Sequence, residues 1–212
     1  MYHSTEGEFV SVGNGKIFHR FSSVKDRRQS IILMHGWSYT SGDWDKADLF
    51  RRLSSIGFSV YAPDYPGFGK SSSNEKYAIS RGNIEKGPVF IRDYMESIGV
   101  QKAHILGASM GGGMAVLSVV SQPELHSSVI AAAPAWIENR KEDLRKITLP
   151  VLFIWGSGDK TVPVAHAKEY SDLCKVSVLK IIEGAGHPVY LEKPDEFFSV
   201  ISGFLNEVRE RY

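Results

Sequence analysis

Ala103-His104-Ile105-Leu106-Gly107-Ala108-Ser109-Met110-Gly111-Gly112-Gly113 is the stretch from which the rest of the chain is read. Ala103, Ile105 and Leu106 lead into a tight turn, and Met110, Met114, Ala115, Val116 and Leu117 after it read as a helix. Ser109 therefore sits where a buried strand turns sharply into a helix. Gly107 and Gly111 flank it at the two positions where a Cβ would collide across so tight a bend. Gly-x-Ser-x-Gly between strand and helix is the nucleophile elbow. It lifts Ser109 Oγ off the sheet. It also leaves the Met110 N–H free at a helix N-terminus, where it can meet a developing oxyanion.

Working outward, short apolar runs over 9–12 and 17–21 flank Gly13-Asn14-Gly15, and the Asn-Gly pair predicts a hairpin. A polar, charged connection over 22–29 follows. The continuous apolar run 30–34 predicts a strand buried on both faces. A helix over about 44–56, with Gly57 suited to its C′ position, precedes a strand over 58–62. Residues 63–71 are dense in turn formers, and 72–87 is polar without a clear period. A helix over 88–98 carries Pro88 in its first turn. The elbow helix ends near Gln122-Pro123. Beyond it the pattern predicts strands over 128–133, 151–155 and 176–182, and helices over 164–173 and 194–208. In the last helix Phe197, Ile201, Phe204 and Val208 recur at helical spacing, which is core patterning. A hairpin followed by alternating strands and helices predicts an α/β fold in one domain, 1–212, with a mostly parallel sheet flanked by helices.

In such sheets, sites form at the carboxyl ends of strands. Ser109 follows one strand directly. Asp159 follows the strand over 151–155, and His187 follows the strand over 176–182. The chemistry needs all three types. A neutral serine hydroxyl is a weak nucleophile, so a base has to take its proton as it attacks. Imidazole titrates near neutrality and can both accept and return that proton. A carboxylate fixes the imidazole tautomer and stabilises its cation. The order Ser, Asp, His is the one found with the nucleophile elbow.

Composition closes off other classes. The 212 residues are 42% hydrophobic and 23% charged, enough for one large core. A formal charge of +1 gives no bulk footprint for nucleic acid or an anionic membrane. Cys174 stands alone and reads as a packing residue. The N-terminus carries no apolar leader, and no run approaches the ~18–20 apolar residues of a membrane span. The expectation is a cytoplasmic monomer or homodimer. Gly69-Lys70-Ser71 lacks the earlier glycine of a phosphate loop, and no dinucleotide fingerprint or His-Glu-x-x-His occurs. No metal or organic cofactor is called for.

Five motifs in one order now carry a resemblance: His35-Gly36-Trp37, the loop 64–71, the elbow 107–111, Gly156-Ser157-Gly158-Asp159 and Gly184-Ala185-Gly186-His187. Over nearly its whole length the chain resembles the α/β-hydrolase superfamily. The resemblance implies an eight-stranded, mostly parallel sheet. It places the second oxyanion N–H on Trp37 beside that of Met110. It makes His35 a loop-ordering residue and puts Asp64 in a structural turn, which leaves Asp159 as the acid. The gap 134–150 is too short for a lid domain. With the run 184–194, this layout is similar to a small capless group of the superfamily with esterase-like and protein-deacetylase-like activity. The expected function is a serine carboxylesterase for small soluble acyl esters. Thioesterase, deacetylase and acyltransferase chemistry use the same residues, and a non-catalytic binder on this fold is the other class. Trp136, Val162 and Val189 are the substrate-binding candidates. Trp37 and Tyr190 are further aromatic candidates, while Trp44, on a predicted helix, favours the core.

Overall fold

In the computed structural model, which describes residues 6–24 and 29–211, eight strands form one sheet. They are β1 (Glu6–Val12), β2 (Gly15–Ser22), β3 (Gln29–Met34), β4 (Phe58–Pro63), β5 (Ala103–Ala108), β6 (His126–Ala132), β7 (Val151–Gly156) and β8 (Ser177–Ile182). Their order across the sheet is β1-β2-β4-β3-β5-β6-β7-β8. β1–β2 and β2–β4 pair antiparallel, and every pairing from β4 to β8 is parallel. The N-terminal stretch 1–5 and residues 25–28 of the polar connection lie outside the described residues.

Every residue of β4, β5 and β7 is buried, because helices cover both faces. That is why these strands read as mainly apolar runs, with Ser59 and His104 the polar residues among them. One apolar cluster lies under α3 (Lys86–Ser97), α4 (Met110–Ser121) and α5 (Ala165–Leu173). The other lies under α1 (Ser41–Lys46), α2 (Leu49–Ser55), α6 (Val189–Glu192) and α7 (Pro194–Arg211). Phe197, Ile201, Phe204 and Val208 pack inward from α7 as their spacing predicts, joined by Leu205. Burial of each such side chain stabilises the fold by about 1.5–3 kcal/mol.

Three local readings are corrected. The hairpin turns on Gly13-Asn14, since Val12 pairs with Gly15. Gly13 takes the positive φ (+55°) and Asn14 does not, the pattern of a Gly-first type II′ turn. The single helix expected over 44–56 is two. Asp48 enters the left-handed region (φ 57°) between α1 and α2, and Thr40 and Asp43 close a capping box on α1. A short helix, α6, follows His187 where none was read. The segment between β6 and β7 holds only a 3₁₀ helix, Glu138–Lys146, so no lid domain rises above the sheet.

Candidate active site

The elbow is built by backbone contact. A Cβ on Gly107 would lie 2.1 Å from the carbonyl oxygen of Gly111, and one on Gly111 2.1 Å from that of Met34. Both are closer than any real contact, so only glycine lets β5, β3 and α4 meet here. Ser109 is held between them at φ 55°, ψ −121°, a backbone region that costs a non-glycine residue on the order of 1–3 kcal/mol. Its N–H donates to Ala132 O (2.8 Å), and its carbonyl accepts from Gly113 (3.0 Å) and Ala135 (2.9 Å). The strain is thus held by bonds to β6, α4 and the loop beyond β6.

Asp159 and His187 come together across two interlocked loops. Gly156 sits against the histidine loop so closely that a Cβ would lie 2.3 Å from Gly186 O. Gly158 N–H donates to Ala185 O (2.9 Å), and Gly184 N–H to Ser157 Oγ (3.0 Å). Asp159 Oδ1 accepts from Thr161 N (2.8 Å) and Val162 N (2.9 Å), which fixes the carboxylate. Oδ2 is left for His187 Nδ1, at 2.8 Å. The Asp159 side chain is fully buried and that of His187 is 13% exposed. An ionised carboxylate only accepts, so Nδ1 carries the imidazole proton and Nε2 is the basic nitrogen.

Ser109 and His187 line one cleft of about 360 Å³, without a hydrogen bond between them in this structure. Such bonds often tighten only with substrate bound. Trp37, Trp136 and Val162 line the same cleft. The Trp37 and Trp136 rings lie 5.2 Å apart, and Phe68 lies 5.1 Å from Trp37. Trp37 is 48% exposed, so the cleft opens to solvent at this aromatic rim. Val189 does not reach the cleft. It is the first residue of α6 and is fully buried in the core on that side of the sheet, because the chain turns inward directly after Pro188. Trp44 and Tyr190 are likewise core residues, with rings 4.3 Å apart. Arg81 and Glu138 also line the cleft, and the sequence does not single them out, because each is one charge among several in a polar segment.

The other histidine and carboxylate of the motifs have structural partners. His35 Nε2 accepts from Tyr65 N–H (2.9 Å), so its Nδ1–H donates to Gly36 O (2.8 Å). Burial holds this ring below the usual imidazole range, in its neutral form. The bond orients the peptide plane whose other end is the Trp37 N–H. Asp64 accepts from Ser41 N (2.8 Å) and Lys70 N (2.9 Å), away from His187. Neither the Trp37 nor the Met110 N–H is engaged by another group among the described residues. Among these residues no group of three or more His, Cys, Asp or Glu is placed to hold a metal ion.

An eight-stranded sheet with a nucleophile elbow after its fifth strand defines a class, and comparison with known proteins gives the same class. The chain belongs to the α/β-hydrolase family: the model of the alpha/beta hydrolase fold matches residues 29–146. It is similar to a predicted CIB-like hydrolase of Thermoplasma acidophilum, with 48% identity, a TM-score of 0.94 and coverage of 96% of this chain and 99% of that one. It is 26% identical to the Mus musculus protein ABHD14A over 92% of this chain and 78% of the relative. It is 28% identical to ABHD14B of Rattus norvegicus, provisionally named a protein-lysine deacylase, over 85% of each. Carboxylesterase CesB of Bacillus subtilis shares the fold, with a TM-score of 0.84 at 21% identity, covering 96% of this chain and 92% of that one.

Proposed function

We propose that this chain is a serine hydrolase of small acyl esters, with Ser109 as nucleophile, His187 as acid–base and Asp159 as its orienting carboxylate. The observation that carries the reading is the 2.8 Å bond from His187 Nδ1 to the buried Asp159 carboxylate, in the cleft where the elbow presents Ser109. Ser109 Oγ attacks the acyl carbon while Nε2 of His187 takes its proton. The N–H groups of Trp37 and Met110 stabilise the oxyanion. His187 returns the proton to the departing alkoxide, then draws one from water as the water attacks the acyl-enzyme, and passes it to Ser109 Oγ as the acid is freed. Trp136 and Val162 flank the acyl group. An open cleft with no lid suits short or protruding acyl chains.

A second reading, amide cleavage at acylated lysine, uses the same steps with an amine leaving group and is favoured by the likeness to ABHD14B. Both are tested by turnover of p-nitrophenyl acetate to decanoate, an acyl thioester and acetyl-lysine peptides, with Ser109→Ala as blank. Short esters should be cleaved fastest, and Ser109→Ala should lose several orders of magnitude in kcat. Near-normal turnover by Ser109→Ala would contradict the assignment. Faster cleavage of acetyl-lysine than of any ester would favour the second reading.

A further inference from the structure

The catalytic cleft holds two charges that the reaction above does not use. Arg81 lies in the loop between the 3₁₀ helix Glu75–Tyr77 and α3, and Glu138 opens the 3₁₀ helix Glu138–Lys146. Both line the cleft with Ser109 and His187. Every other arginine whose side chain is described makes an ion pair or a hydrogen bond. Arg81 makes neither among the described residues. Glu138 likewise accepts no hydrogen bond and forms no ion pair among them, and the two do not pair with each other.

Both charges are held on ordered backbone. The Asn83 side chain ties the loop of Arg81 together, accepting from Ser80 Oγ (2.9 Å) and donating to Ala78 O (3.0 Å). Ile84 and Ile137, neighbours of the two charged residues, are buried and flank the same point of α4. A Cβ on Gly113 would lie 2.8 Å from one and 3.2 Å from the other. An exposed guanidinium and an exposed carboxylate, each without a protein partner among the described residues, therefore line one cleft. A guanidinium fork binds a carboxylate through two parallel hydrogen bonds, and a carboxylate accepts from an ammonium. A ligand with one charge would satisfy one wall and leave the other facing a like charge or none. A ligand with both signs on neighbouring atoms satisfies both.

We propose that the cleft selects acyl esters whose alcohol portion is an amino acid, with the α-carboxylate on Arg81 and the α-ammonium on Glu138. This rests on the hydrolase reading above. Water and the O-acyl amino acid give the free acid and the hydroxy amino acid. The ester C–O bond breaks, and His187 supplies the proton to the departing oxygen.

The test uses acetyl esters of serine, glycolate, choline and ethanol, which are zwitterionic, anionic, cationic and neutral, assayed at pH 6.5 to suppress acyl migration on serine. Wild type should show the highest kcat/KM on O-acetylserine. Arg81→Gln and Glu138→Gln should each lower the ratio of O-acetylserine to ethyl acetate turnover by roughly tenfold or more. Reading the ratio cancels any general loss of activity. Binding of O-acetylserine to Ser109→Ala by calorimetry, with and without Arg81→Gln, separates recognition from chemistry. Binding that depends on Arg81 upholds the proposal even if the ester reading fails. An unchanged ratio in both variants, or a preference for glycolate or choline ester over serine ester, would overturn it.

Discussion

Acidification should destabilise this protein above the pH at which its carboxylates protonate. His104 and His126 are almost completely buried, and burial pushes both down to about 4 from 6.5. Each keeps one neutral hydrogen bond, His104 Nδ1 with Ser128 Oγ (2.7 Å) and His126 Nε2 with Ser118 Oγ (2.8 Å). The second nitrogen of His104 has no partner among the described residues, so a proton added there would be buried unsolvated, and at His126 a backbone bond to Ala103 offsets only part of the burial cost. Between pH 4 and 6.5 the unfolded chain binds more protons at these rings than the folded one, so stability falls as pH falls through that window. At pH 5 the difference is about 2 kcal/mol for each ring, or about 4 kcal/mol for the pair, relative to neutral pH. His19 and His35 are lowered by burial as well and act in the same direction. The carboxylates held low by ion pairs, such as Asp93 and Asp143, lose their contribution only below their ordinary range, near pH 3.8. Urea unfolding followed by tryptophan fluorescence at pH 7.5 and 5.0 should show this loss, and His126→Gln should remove about half of the pair's share of the pH dependence. Equal unfolding free energies at both pH values, with unchanged denaturant slopes, would refute the reasoning.

Asp159→Asn leaves the amide able to hold Thr161 N and Val162 N but presents the wrong tautomer to His187. It should lower kcat by roughly 10³–10⁴-fold without unfolding the protein, as read by ester turnover and circular dichroism. Gly111→Ala drives a methyl into Met34 O at 2.1 Å and His35 O at 2.6 Å. It should destabilise by about 3 kcal/mol or more in urea and abolish turnover, because the elbow cannot relax without moving β3. Ser109→Gly should do the reverse for stability. Relief of the positive φ, less the entropy cost of glycine, should raise the unfolding free energy by about 1 kcal/mol while turnover is lost.

Where one strand or one turn decides the outcome, the chain can be read directly. The elbow is such a case: the apolar run of β5, the glycines at 107 and 111 and the apolar face of α4 each meet a local demand of the same bend. Asp159 and His187 were found by their places after β7 and β8, since a strand end fixes a position along the sheet edge before any contact is known. What the sequence hid was set by tertiary contact. Trp44, Leu49, Phe50 and Leu53 carry one apolar face through both α1 and α2, so the break at Asp48 leaves no mark in the periodicity, and no glycine flags it. Val189 is apolar in a loop of the site, yet α6 turns it into the core. Arg81 and Glu138 sit in polar segments whose charges look alike along the chain, and only the fold sets these two in the cleft apart from their neighbours.

The central claim is that Ser109 is an activated nucleophile, and labelling with a fluorophosphonate probe tests it most directly. Peptide mass spectrometry should place a single phosphonyl adduct on Ser109, with labelling slowed at least about a hundredfold in His187→Ala and absent in Ser109→Ala. A folded protein that takes no label, or one that is labelled equally in Ser109→Ala, would contradict it.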